Sequence, residues 1–149
     1  PEKISIVIHR ESIIHSLVEY SDHAILAQLG APDMRLPIQY ALTWPRRSEG
    51  VAKPLDLLTC PPLTFHAPDC KAFPCLRLAL EAARTGGTAT AVLNGANEAA
   101  VGQFLAGKLS FAGIAQKVEE ALAAIPAVQS PGLEEILAAD EAARALVNR

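Results

Sequence analysis

No excess of positive charge marks this 149-residue sequence: 13 Lys and Arg stand against 16 Asp and Glu, a formal net charge of −3. Recognition of nucleic acid needs a basic patch, so nucleic acid is not expected as a partner. No apolar run approaches the roughly 18 residues that a membrane span requires, and no membrane partner is expected either. Cysteine is sparse. Cys60, Cys70 and Cys75 are odd in number and their spacing fits no zinc motif, which reads as free thiols in a reducing compartment. An initiator Met is missing too: the chain begins Pro1-Glu2-Lys3 and within a few residues enters a strand-like run. From this we expect the tail of a longer protein. What the chain does have is apolar material, 50% of its residues, enough for a core.

Composition shifts twice along the chain. Residues 4–44 hold the β-branched runs, the only Met and the only Trp. Ile4-Ser5-Ile6-Val7-Ile8 reads as a strand. Ile13–Tyr20 and Ala24–Leu29, separated by Ser21-Asp22-His23, read as a hairpin, with a helix over 12–20 as the competing possibility. Gly30-Ala31-Pro32 breaks the second strand, Asp33 can cap the N–H groups behind it, and Pro37 is tolerable in the first turn of a short helix. That helix ends near Thr43, because Trp44 precedes Pro45 and is pushed out of the helical region. Residues 45–74 then carry Pro45, Pro54, Pro61, Pro62, Pro68 and Pro74. Such a stretch cannot be a helix interior or a central strand, and an extended connector is expected.

From Ala79 onward, 20 of 71 residues are Ala, the strongest helix former. Pro74 starts one helix, with Leu76, Ala79, Leu80 and Ala83 as its expected stripe, and Gly86-Gly87 stop it. A second runs from about Thr90 to Ala106, with Leu93, Val101 and Phe104 on one face. Ser110 caps a third, striped by Ile114, Val118, Ala121, Leu122 and Ile125. Ser130-Pro131 starts a fourth with Glu134 and Glu135 in its first turn, and Asp140 is expected to cap a last short helix. The fold class expected is therefore α+β: strands and a short helix at the end of an α/β catalytic domain (1–47), a Pro-rich connecting segment (48–73) and an all-α helical bundle (74–149).

Chemistry-bearing residues concentrate at the start. His9 and His15 flank Ser12, but no nucleophile elbow surrounds the serine, so a Ser/His hydrolase lacks support. The two histidines do not have the i, i+4 spacing of a zinc helix. Each His is expected to be a hydrogen-bonded structural residue. Met34, in Pro32-Asp33-Met34-Arg35, sits at a loop-to-helix junction and not on a core stripe, and its thioether suits a planar ring. Arg35 reads equally as an ion pair or a phosphate contact, and Arg46-Arg47 as solvated. In the helical part Asn94 and Asn97 are the oddities; Asn97 is expected to be a buried amide bonded to a neighbouring helix or loop.

Longer runs say more. Ile8-His9-x-x-Ser12-x-Ile14-His15-Ser16, Leu26-Ala27-Gln28-Leu29-Gly30-x-Pro32-Asp33-Met34-Arg35-x-Pro37-Ile38 and Trp44-Pro45 occur in order. Lys53-Pro54-Leu55-Asp56, Leu63-Thr64-Phe65, Pro74-Cys75-Leu76 and Leu93-Asn94-x-x-Asn97-Glu98 come after them. Together they resemble the C-terminal part of the 1-deoxy-D-xylulose 5-phosphate reductoisomerase family, over essentially the whole chain. The resemblance implies an NADPH-dependent oxidoreductase of isoprenoid biosynthesis that rearranges and reduces 1-deoxy-D-xylulose 5-phosphate to 2-C-methyl-D-erythritol 4-phosphate. It implies Mg²⁺ or Mn²⁺ as a Lewis acid, a homodimer, and a cytoplasmic location (a plastid in a plant). Carried over by position, Ser12, His15, Pro32 and Met34 form a substrate and cofactor wall, while His9 matches a family position to which no role is assigned.

The same resemblance implies what lies elsewhere. The family's nucleotide-binding domain, its acidic metal ligands and its mobile loop have no counterpart in these residues. No catalytic residue and no metal ligand is therefore expected in this segment, and the 149 residues alone are expected to be inactive. A non-catalytic helical interaction module descended from the enzyme is the alternative. Retention of the Ser12, His15, Pro32 and Met34 wall speaks against it.

Overall fold

The structure, a computed structural model, describes residues 1–149. It is an α+β arrangement of two strands and five helices: β1 (Ile14–Glu19), β2 (Ile25–Leu29), α1 (Arg35–Thr43), α2 (Pro74–Thr85), α3 (Ala89–Leu105), α4 (Phe111–Ala124) and α5 (Leu133–Val147). No helix is long and apolar enough to cross a membrane. The chain divides into two compact units, Ile6–Ala67 and Pro1–Ser5 together with Pro68–Arg149.

In the first unit β1 and β2 pair antiparallel. Local chemistry sets the turn between them: Tyr20 donates to the Ala24 carbonyl at 2.9 Å, and Asp22 Oδ1 accepts from the Ala24 N–H at 3.0 Å. The hairpin is wet on both faces. Leu17 and Val18, neighbours on opposite faces of the pleat, are 42% and 54% exposed, and Leu26 is 62% exposed. The strand expected over Ile4–Ile8 is not formed. Only Ile8 finds a partner, exchanging two 2.9 Å backbone bonds with His66 in an isolated bridge. A strand needs a neighbour to pair with, and β-rich composition cannot supply one. α1 ends at Thr43 before a cis Trp44–Pro45 bond, and Pro37 lies in its first turn.

The second unit is a four-helix arrangement whose core is Leu78, Val92, Ala96, Ala100, Ile114, Val118, Ala121, Ala143 and Val147. Small residues let α3 approach its neighbours closely: a Cβ on Gly95 would lie 2.7 Å from the Asp140 carbonyl of α5. Ser110 caps α4, accepting the Gly113 N–H at 3.1 Å, and Ile114, Val118 and Ala121 face the core as their spacing requires. Three expectations need correction. The buried residues of α3 are Ala89, Val92, Gly95, Ala96 and Ala100, with Leu93 and Val101 half-buried and Phe104 exposed, so its inward face lies beside the expected Leu93, Val101 and Phe104 stripe. The buried residues of α2 are Leu78 and Ala82, with Ala83 exposed, so its inward face is rotated from the Leu76–Ala83 stripe. Asp140 caps nothing; α5 runs through it to Val147, and its carboxylate instead takes Arg144 Nε at 2.7 Å, one turn on.

One junction ties the helical unit together. Thr88, 1% exposed at the head of α3, donates its N–H to the Val128 carbonyl and accepts the Val128 N–H on Oγ1, both at 3.0 Å. Gln129 Nε2 adds a 3.1 Å bond to the Thr85 carbonyl. The α2–α3 turn is thus bolted to the α4–α5 loop, a close approach made possible by Gly87.

Candidate functional site

The residues around Ser12 are held by contacts from far along the chain. The His9 ring, with a side chain 6% exposed, stacks on Phe65 with centroids 5.0 Å apart. Its Nδ1 lies 2.9 Å from the Thr64 carbonyl, and the Ile13 N–H donates to its Nε2 at 3.2 Å. With Nε2 accepting from Ile13, Nδ1 is the ring nitrogen left to face the Thr64 carbonyl. Glu11 completes the arrangement: Oε1 accepts from Thr64 Oγ1 at 2.7 Å and Oε2 from the Thr64 N–H at 3.1 Å. Oε2 also lies 3.0 Å from His9 Nδ1. His9 is hydrogen-bonded as its residue type suggested, whereas Glu11 and Thr64 gave no local sign of their role, since they stand 53 positions apart.

The Thr64 hydroxyl, the Glu11 backbone and the Thr64 N–H hold the Glu11 carboxyl at about 2, well below the ordinary 4.5. With a folded-state value below the unfolded one, the carboxylate's contribution to stability is complete above about pH 4.5 and is lost as the pH falls toward 2. In an acid titration followed at the Thr64 amide resonance, we expect a midpoint near 2. A midpoint at the ordinary value would show that the bond to Glu11 is not made.

Between the tied residues Glu11 and Ile13, Ser12 is exposed and adopts φ of +52°, a conformation uncommon outside glycine. The Gly30 N–H donates to the Ile13 carbonyl at 3.0 Å, which ties the residue after β2 to the residue after Ser12 at the open end of the hairpin. His15 falls there as well. Ile14 opposes Leu29 and Ser16 opposes Gln28, leaving His15 as the extra residue of a bulge, a device that re-aims a side chain. Beyond Pro32, Asp33 and Arg35 form a fork: Arg35 Nε lies 2.9 and 3.0 Å from the two carboxylate oxygens and Nη2 lies 2.6 Å from Oδ2. The Arg35 guanidinium and backbone N–H hold the Asp33 carboxyl down at about 2. Arg35 is therefore an ion-pair partner, and the fork grips the backbone on both sides of Met34, whose side chain stands 70% exposed. Strand register thus places His15 at the open end of the hairpin, with Ser12 just before β1 and Pro32 and Met34 following β2 in the chain.

Elsewhere the side chains have other occupations. The Arg47 guanidinium sits 4.0 Å over the Tyr40 ring, so it is not merely solvated. Asn94 is exposed and Asn97 half-buried, and both line a pocket of about 240 Å³ with Cys75 and Leu93. The buried, neighbour-bonded amide expected at Asn97 is not found, because that residue lies at the edge of the core stripe and not on it. Asn97 also borders a larger pocket of about 470 Å³ that includes Phe73, Arg77 and Phe111. No group of three or more His, Cys, Asp or Glu side chains is placed to hold a metal ion.

A family model for the DXP reductoisomerase C-terminal domain matches residues 29–146, which sets the class: a C-terminal segment of a reductoisomerase. The chain is 51% identical over 146 residues, 98% of its length, to the 1-deoxy-D-xylulose 5-phosphate reductoisomerase of Pseudomonas putida (strain W619). It is 46% identical over its whole length to that of Methylococcus capsulatus. Among solved structures, the reductoisomerase from Zymomonas mobilis in complex with NADPH superposes with a TM-score of 0.88 at 47% identity over 99% of the chain. A DOX-P reductoisomerase in complex with NADPH, fosmidomycin and magnesium gives 0.87 at 44% identity over 95%. The chain belongs to the 1-deoxy-D-xylulose 5-phosphate reductoisomerase family. It spans only 37% and 38% of the two curated relatives, and 39% and 37% of the two solved chains.

Proposed function

We propose that this chain is the C-terminal portion of an NADPH- and divalent-metal-dependent reductoisomerase that converts 1-deoxy-D-xylulose 5-phosphate to 2-C-methyl-D-erythritol 4-phosphate. The observation that carries the reading is the likeness over 99% of the chain, at 47% identity, to a reductoisomerase whose structure holds NADPH. In this reading residues 1–47 end the catalytic domain, 48–73 connect, and 74–149 form the C-terminal helical domain. The protein is a homodimer of the cytoplasm, or of a plastid in a plant.

Ser12, His15, Pro32 and Met34 are the wall that faces substrate and cofactor. When bound, NADPH supplies the hydride that reduces the rearranged aldehyde. The wall fits such a partner: Met34 is exposed on a backbone fixed by the Asp33–Arg35 fork, and a thioether packs well on a planar ring. The Pro32 ring adds a rigid apolar surface. The Ser12 hydroxyl and the His15 ring offer polar contacts beside it and orient the substrate. In this reading the ligands of the divalent ion lie outside these residues.

The test is an absorbance assay of NADPH oxidation with 1-deoxy-D-xylulose 5-phosphate and Mg²⁺. The complete polypeptide that carries this chain is expected to consume NADPH in step with substrate, and the 149 residues alone to consume none. Absence of turnover by the complete polypeptide would overturn the reading.

A further inference from the structure

We infer that Glu11 and His9 are positioning residues: through Thr64 they set the geometry of the Ser12 turn and hence of the wall. The inference rests on the reading of that wall as part of a reductoisomerase site. A serine at φ of +52° is kept there by its surroundings, and those surroundings can be named. The residue before it, Glu11, is tied through both carboxylate oxygens to Thr64. The residue after it, Ile13, donates its N–H to His9 Nε2, and its carbonyl accepts the Gly30 N–H. His9 is in turn fixed by the Thr64 carbonyl and by the face of Phe65. Ser12 is thus the exposed member of a turn whose two neighbours are both held.

The clasp also has a directional consequence. The bond from the Gly30 N–H to the Ile13 carbonyl leads toward the segment carrying Pro32 on one side, and one bulged residue separates Ile14 from Ser16 on the other. A turn that shifts at Ser12 therefore moves the start of β1, where His15 lies, and its partner at the end of β2. Neither Glu11 nor His9 needs to touch substrate for this to matter, because misplacement of ligand-facing groups by about 1 Å is enough to impair turnover.

The test uses four single variants of the complete polypeptide and one double variant. Thr64→Val removes the hydroxyl that Glu11 accepts while keeping shape, Thr64→Ser keeps it, and Glu11→Ala removes the carboxylate. His23→Ala, in the exposed hairpin turn, is the control. We expect Thr64→Val and Glu11→Ala to lower kcat/KM by about 10- to 100-fold, the range for residues that orient ligand-facing groups. The loss falls on kcat as well as KM, Thr64→Ser restores most of the rate, and the Glu11→Ala/Thr64→Val double variant is no worse than Glu11→Ala. Amide exchange at Ile13 speeds up in the damaged variants, while His23→Ala matches the parent. The inference is overturned by unchanged kcat/KM in Thr64→Val and Glu11→Ala, or by a Thr64→Ser variant as poor as Thr64→Val. If the parent polypeptide has no turnover, the functional reading fails on its own. The clasp is then judged by Ile13 exchange alone, faster exchange in Glu11→Ala supporting it and unchanged exchange refuting it.

Discussion

Gly87→Ala is expected to lower the stability of the helical unit by about 3–5 kcal/mol, combining strain at a left-handed residue with overpacking. Gly87 has φ of +55°, and a Cβ there would sit 2.1 Å from the Val128 carbonyl oxygen and 3.2 Å from the Gln129 Cα. Both obstacles are backbone, held in place by the two Thr88–Val128 bonds, so no side chain can swing aside. For a unit of this size the melting temperature should fall by about 15–30 °C. Two other glycines calibrate the result. Gly107 has φ of +71° with open space around it, so Gly107→Ala should cost only the conformational strain, about 1–2 kcal/mol. Gly102, inside α3 with nothing within 4 Å, should tolerate Ala or gain up to about 1 kcal/mol. Thermal melts of the three variants check the ranking; Gly87→Ala melting like Gly107→Ala would show that the loop does not press on that turn.

Met34→Ala in the complete polypeptide is expected to cut kcat/KM with respect to NADPH by about 10- to 100-fold, since covering a methionine side chain contributes about 1.5–3 kcal/mol. Met34→Leu, close in volume, should keep most of the rate. Metal affinity should not change, as the chain places no cluster of metal-binding side chains near that residue. Mg²⁺ titration alongside NADPH kinetics separates the outcomes. A fall in metal affinity with cofactor use intact would remove Met34 from the wall.

How much of the fold and site was legible in the sequence depends on the range of the interaction concerned. Elements built from local chemistry were readable: the hairpin turn at Asp22, the helix between Pro32 and Trp44, the Ser110 cap and the α4 stripe. Elements that depend on a distant partner were not. Ile4–Ile8 has strand composition but pairs only at Ile8, and nothing in those five residues announces His66. Asp140 has a capping side chain, yet packing of α5 on α3 carries the helix straight through it. The α2 stripe was misplaced because Leu, Ala and Cys alternate so densely there that more than one face looks apolar. At the candidate site, Ser12, His15, Pro32 and Met34 stand out only through the extended motifs that contain them, and their role is the one proposed above. The Glu11–Thr64 pair, 53 positions apart, was invisible to any shorter window.

That separation also orders events during folding. Bringing residue 11 to residue 64 closes a loop whose entropic cost is about 3.5 kcal/mol before any constant term, from the logarithmic dependence on length. The hairpin, by contrast, closes over the few residues from Tyr20 to Ala24. The clasp accordingly cannot nucleate; it forms once the intervening strands and α1 have already shortened the gap. The turn at Ser12 is therefore among the last parts of its unit to mature, and a nascent chain acquires its shape there only after the segment carrying Thr64 has left the ribosome.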